Sequence, residues 1–148
     1  MHKFPLNKHK IQSTSMLQIV HFEVWGTIPI TSLFGYNYYV VFIDDFIRFT
    51  WFFLLEQKSG LFDVFKHFKN LIENQYSSKI KVLRFNNGEE YINSQFKSFS
   101  SDHGILRQTS CPHTPQQNGI SERVHRHILE TGLPLLLVLC LFHCPIFY

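Results

Sequence analysis

The sequence predicts an α/β domain, a five-stranded mixed sheet flanked by helices. Its hydrophobic pattern runs strand, strand, strand, helix, strand, helix, strand, helix, with no internal repeat. Its 148 residues fit one domain able to bury a real core. A hydrophobic content of 45% against 17% charged residues excludes a disordered chain, and 16 Phe point to a core thick with aromatic rings.

Residues 1–15 are polar and basic without periodicity and read as a flexible arm before a domain at 16–132. "MLQIVHFEVWG" is a first strand, ended by Gly26 and Pro29. "YYVVFIDDF" is a nearly continuous β-branched and aromatic run, the pattern of a strand buried on both faces. "FTWFFLLE" follows a tight link and predicts its antiparallel neighbour. From Ser59 to Tyr76 the period changes: Leu61, Phe62, Phe65, Phe68, Leu71 and Ile72 recur at helical steps, with Lys66, Lys69 and Glu73 between them. Ser59 is the expected N-cap of that helix. "KIKVLRF" is a fourth strand, "SQFKSFSSDHG" a short helix stopped at Gly104, and "ILRQTS" a fifth strand. "CPHTPQQNG" reads as a loop, and a last helix starts near Gly119 and runs through "ISERVHRHILE".

Bulk properties narrow the partners less than the motifs do. With 14 Lys+Arg against 11 Asp+Glu, the net charge of +3 suits a nucleic-acid partner without requiring one. Cys111, Cys140 and Cys144 lack a disulfide-framework spacing, which favours a reducing compartment. The N-terminus carries no secretory signal pattern, so secretion is not expected. The apolar tail at 133–148 is interrupted by Pro134, His143 and Pro145 and falls short of the roughly 20 apolar residues of a membrane span. No membrane partner is therefore expected. Cys111 and His113 with His125 and His127 lack the usual zinc-finger spacings.

Three oxygen-bearing side chains stand out by position. Glu23 falls late in the first strand, Asn86 just past the fourth, and Glu122 early in the last helix. If the first and fourth strands are neighbours, Glu23 and Asn86 meet near their carboxyl ends, where ligands gather in open α/β sheets. A helix packed across that edge brings Glu122 to the same point, and such a set suits a hard divalent cation.

Four words, "VHFEVWG", "YYVVFIDDFIRFTW", "IKVLRFNNGEEY" and "HTPQQNGISERVHRHILE", occur in the order seen in a known family. From about Phe4 to Thr131 the chain resembles the ribonuclease H-like integrase core of copia-type LTR retrotransposons, a relative of the retroviral integrases. That family uses two aspartates and a glutamate, with 35 residues between the second aspartate and the glutamate. Here 122 − 86 − 1 = 35 residues separate Asn86 from Glu122. The resemblance implies DNA integration, the joining of retroelement cDNA ends to target DNA. It also implies two Mg²⁺ (or Mn²⁺) ions that activate a water, and then a DNA 3′-hydroxyl, for attack on a phosphodiester. By position, Glu23 stands at the first aspartate, Asn86 at the second and Glu122 at the glutamate, with Glu23 and Glu122 left as metal ligands.

Two of these three positions depart from the family. Asn86 offers a neutral carbonyl oxygen where an anion is needed, and Glu23 adds a methylene. Mg²⁺ demands near-octahedral geometry at about 2.1 Å, and a misplacement of about 1 Å can cost on the order of a hundredfold in rate. The resemblance therefore implies a degenerate copy with weak or no catalysis. The alternative is a non-catalytic nucleic-acid-binding or dimerisation module derived from such a core. Glu89 and Glu90 lie past the Asn-Gly turn and are expected to point elsewhere.

The resemblance further implies DNA contacts through Gln116, Gln117 and Asn118, and through Arg126, whose bland alternative is an i,i+4 ion pair with Glu122. Val124 stands where a DNA-facing lysine is common. Asp44 and Asp45, beside the implied site, are expected to serve structural hydrogen bonding rather than form a second acidic site. Implied partners are double-stranded DNA and further copies of the chain. The implied location is the nucleus or a cytoplasmic virus-like particle.

Overall fold

A computed structural model of the chain describes residues 12–27, 35–85, 92–109 and 122–132. Three strands, β1 (Ile19–Gly26), β2 (Tyr38–Asp44) and β3 (Thr50–Leu55), form an antiparallel meander. Then follow α1 (Leu61–Tyr76), β4 (Val82–Phe85), α2 (Ser94–Asp102) and β5 (Leu106–Thr109). Residues 122–127 are α-helical and run into a π-helical turn at Ile128–Gly132, together called α3. The sheet order is β3-β2-β1-β4-β5, with β4 parallel to both β1 and β5. This is the five-stranded mixed α/β sheet the sequence predicts.

Alternation of side chains across the sheet divides the core in two. Val20 and Phe22 of β1, with Val40 and Phe42 of β2, face Leu61, Phe65, Phe68 and Ile72 of α1 and Phe96 of α2. Tyr39, Val41 and Ile43 of β2 form a smaller cluster on the other face, against Val124 and Ile128 of α3. Helices on both faces explain why β2 is buried from Tyr39 to Asp44 and reads as a continuous apolar run. Phenylalanines fill the larger core, where the Phe42 and Phe68 rings stack with centroids 4.1 Å apart and planes 8° from parallel.

Two local expectations are corrected. Ser59 does not cap α1: it lies in a 3₁₀ turn (Lys58–Gly60), its hydroxyl bonds Gln57, and Gly60 takes the N-cap position without a side-chain hydrogen bond. Lys69, placed by its charge among the polar positions of the helix, is buried. Its Nζ lies 2.7 Å from Glu73 Oε2, while Glu73 Oε1 accepts the Ile80 N–H at 2.9 Å. A buried lysine needs such a pair, and this one ties α1 to the segment entering β4. The cap of α2 is Asn93, whose side chain accepts from the Phe96 N–H at 2.8 Å.

Among the described residues no helix is long and apolar enough to cross a membrane. The apolar tail at 133–148 and the expected start of α3 near Gly119 lie outside the described residues.

Candidate functional site

β1 is the central strand and presents its chemistry through one set of alternate residues. His21, Glu23 and Trp25 share a face with their cross-strand partners Ile43, Val41 and Tyr39. On the other side of β1 the parallel register pairs His21 with Arg84 and ends at Phe22 opposite Phe85. Glu23 therefore sits just beyond the last described pair, in the carboxyl half of the strand. It is half-buried, with Oε2 shielded from solvent. Asn86 follows Phe85 in the chain and lies outside the described residues, as do Gln116, Gln117, Asn118, Glu89, Glu90, Cys111 and His113.

Above Glu23 on this face lies a compact aromatic group. Tyr39 packs beside Phe52, and its hydroxyl is hydrogen-bonded to His125 Nδ1 of α3. The Trp25 indole stacks on the same imidazole. Burial, and then the charge of Glu23, push the Tyr39 phenol well above its usual value, so it keeps its proton. Burial holds His125 below its usual value, which favours a neutral imidazole whose Nδ1 accepts that proton's hydrogen bond. Glu122 precedes His125 by three residues, an axial rise of about 4.5 Å, and its side chain is exposed. The fold thus brings the helix segment carrying Glu122 onto the face of the sheet that carries Glu23.

Sequence reasoning missed the part played by His125, Tyr39 and Trp25. The available signal was Trp25, which alternates with Glu23 and so must share its face of the strand. Val124 is half-buried and packs into the cluster beneath α3. Arg126 is exposed, and among the described residues it forms no ion pair with Glu122.

Asp44 and Asp45 are structural. Asp44 is fully buried, with Oδ2 accepting from Leu17 N–H at 2.6 Å and Oδ1 from Phe46 and Ile47 N–H at 2.9 and 2.8 Å. Asp45 accepts from the Ser13 hydroxyl at 2.6 Å and faces His21 Nε2 at 2.8 Å. Ser13, within the span read as a flexible arm, is thereby tied to the β2–β3 turn. Burial alone would raise the Asp45 carboxyl, but its hydrogen bonds to Ser13 and His21 outweigh it and bring it to about 2, from an ordinary 3.8. Burial drives the His21 imidazole below its ordinary 6.5 against the pull of Asp45.

Both shifts have the same sign for stability. A depressed folded value means the unfolded chain binds the proton more readily, so acid favours unfolding. Stability should hold above pH 6.5, decline as His21 is forced to protonate, and fall again between about 4 and 2 through Asp45. Thermal melts from about pH 2 to about pH 8 check this, and Asp45→Asn should remove the acid-range decline attributable to that carboxylate.

Among the described residues no three His, Cys, Asp or Glu side chains are grouped closely enough to hold a metal ion. Glu23 lies on the sheet face over which the helix segment carrying Glu122 is seated.

Residues 14–115, which include β1 to β5, α1 and α2, match the family described as the integrase core domain. The chain belongs to this family. As an integrase core it is 45% identical over 135 residues to the retrovirus-related Pol polyprotein from transposon RE2 of Arabidopsis thaliana, an alignment covering 91% of this chain and 9% of that protein. It is 46% identical over 134 residues to the corresponding polyprotein from transposon RE1, covering 90% and 9%. Against the polyprotein from transposon TNT 1-94 of Nicotiana tabacum it is 37% identical over 129 residues, covering 87% and 10%. The chain thus spans about a tenth of the length of these relatives. Its mixed sheet, with helices on both faces, is consistent with the ribonuclease H-like fold of integrase cores.

Proposed function

We propose that this integrase core derives from a DNA-joining enzyme and carries a degenerate active site with weak or no catalysis. The observation that carries the reading is the junction of β1 and β4. Their parallel register runs to Phe22 opposite Phe85, so the chain leaves the last described pair one residue before Glu23 on one strand and one before Asn86 on the other. α3, which carries Glu122, is seated on the same face as Glu23.

The donor set does not fit the two divalent cations, Mg²⁺ or Mn²⁺, that the resemblance implies. Glu23 and Glu122 supply two carboxylates, but position 86 supplies an amide with no anionic oxygen. Glu23 has one oxygen shielded from solvent on a strand segment paired with β2 through Val41, which limits how far its longer arm can adjust. Two dications facing two anions keep an uncompensated charge, which a low-dielectric setting makes more costly.

The test is a DNA-end joining assay on the unmodified chain and on the Glu23→Asp/Asn86→Asp double variant, with Mg²⁺ and with Mn²⁺. The double variant should exceed the unmodified chain by at least about a hundredfold, the scale set by first-ligand geometry. Robust joining by the unmodified chain defeats the reading. Double-stranded DNA, engaged mainly through phosphates, and further copies of the chain are the proposed partners, with the nucleus or a cytoplasmic virus-like particle as the place of action.

A second reading rests on the exposed Arg126 and His127 beside Glu122 on α3. They favour a module that binds DNA without turnover. Binding that weakens steeply with salt, in a chain that joins no ends, supports it. No binding at low salt defeats it.

A further inference from the structure

One imidazole is held by two strands at once. The Trp25 indole and the His125 ring lie with centroids 3.6 Å apart and planes 11° from parallel. His125 Nδ1 is hydrogen-bonded to the Tyr39 hydroxyl, and the two rings lie 17° from parallel. Trp25 and Tyr39 are direct cross-strand partners on β1 and β2, so their relative positions are set by the sheet. The stack fixes the plane of the imidazole, and the hydrogen bond fixes its rotation within that plane.

The apolar contacts of α3 with the sheet are of a different kind. Val124 and Ile128 pack on Tyr39, Val41 and Ile43, an apolar surface that attracts without direction. A helix held only in this way is free to roll or slide along the sheet. The described part of α3, residues 122–132, passes from α-helix into a π-helical turn at Ile128–Gly132. The contact at His125 supplies direction that the apolar contacts lack.

We propose that Trp25 and Tyr39 clamp His125 and so fix the rotation and axial position of α3, making His125 a positioning residue for Glu122. Glu122 lies three residues earlier, on the same side of the helix as His125. Its place relative to Glu23 is then set by an aromatic contact that touches neither carboxylate. The positioning role rests on the reading that Glu23 and Glu122 belong to one site. The clamp itself does not.

The experiment separates the two. A Trp51→Phe background leaves Trp25 as the only indole, since the chain has 2 Trp. In that background His125→Ala should shift Trp25 emission and speed amide exchange at residues 126–132 by about tenfold, the usual scale of a lost coupled contact, with β1 and β2 amides unchanged. Tyr39→Phe alone should fall between the two, because the ring stack survives. Tyr39→Phe/His125→Phe keeps a ring on Trp25 and replaces a hydrogen-bonded pair by an apolar one, a change that can be nearly neutral. It should restore protection to within about twofold of the parent.

Emission and exchange unmoved by His125→Ala overturn the clamp. In the Glu23→Asp/Asn86→Asp chain, His125→Ala should lower the joining rate more than DNA affinity, and the double Phe variant should recover it. Loosened exchange with an unchanged joining rate overturns the positioning role. If the restored chain joins no ends at all, the functional reading fails, and exchange and emission still decide the clamp.

Discussion

Replacing Asp44 with alanine is expected to destabilise the domain by about 3 to 5 kcal/mol, a large part of the roughly 5–15 kcal/mol that holds a typical domain folded. The carboxylate satisfies the backbone N–H groups of Leu17, Phe46 and Ile47 from a fully buried position. Its own carbonyl accepts the Arg48 N–H at 3.0 Å. Leu17 and Arg48 both have positive φ, 62° and 61°, which non-glycine residues adopt only when their surroundings enforce it. Asp44 therefore joins the lead-in to β1 to the β2–β3 turn and holds the neighbours of two unfavourable backbone conformations. Alanine leaves the three donors without this acceptor, whereas Asp44→Asn retains one carbonyl oxygen and should cost roughly half as much. Urea denaturation with an unchanged slope measures both. A loss below about 1 kcal/mol for alanine would show that the turn stands without the carboxylate.

Phe68→Ala should cost a comparable amount, about 3 to 5 kcal/mol. Phe68 is fully buried on α1, stacked on Phe42 and meeting Trp51 edge-on at a centroid distance of 5.3 Å. Phe53 contacts the same ring edge-on at 6.0 Å. Truncation removes apolar burial and leaves a cavity bounded by rigid rings, which cannot collapse as aliphatic side chains can. It also removes ring-pair geometry worth about 0.5–1.5 kcal/mol beyond area. Phe68→Leu fills most of the space and should lose about half as much or less. Equal losses for leucine and alanine would mean that ring geometry, not volume, dominates this core.

The fold was legible where one physical cause controlled the residues. β2 announced itself because helices cover both of its faces and no position from Tyr39 to Asp44 needs to be polar at the surface. α1 was legible from Leu61, Phe65, Phe68 and Ile72, all buried. The Asp44–Asp45 pair was read as structural and the hydrogen bonds agree. Errors arose where a local rule met tertiary context. Ser59 has the right side chain for a cap, but the chain enters α1 through a 3₁₀ turn that places Gly60 at that position. Lys69 looks exposed by charge and is buried because Glu73 lies one turn away to meet it.

The candidate site was only partly legible for a related reason. Glu23 and Glu122 are singled out in the sequence by residue type and position. His125 does not, because its significance depends on Trp25 and Tyr39, which lie 100 and 86 positions earlier in the chain (125 − 25 and 125 − 39). In a single sequence it is one of nine histidines. Only a sheet that sets Trp25 beside Tyr39, and a helix laid across both, gives that histidine its role.

On the proposed reading, the central strand has a consequence for how an integrase core decays. Along β1, Val20 and Phe22 are turned toward the larger core, and Glu23 toward the opposite face. Structure and chemistry are written in alternate letters of one word. A copy released from selection for joining DNA can change position 23 while leaving the packing of Val20 and Phe22 intact. Inheritance of the shape can therefore outlast inheritance of the activity, and a related chain that still folds carries no guarantee that it still reacts.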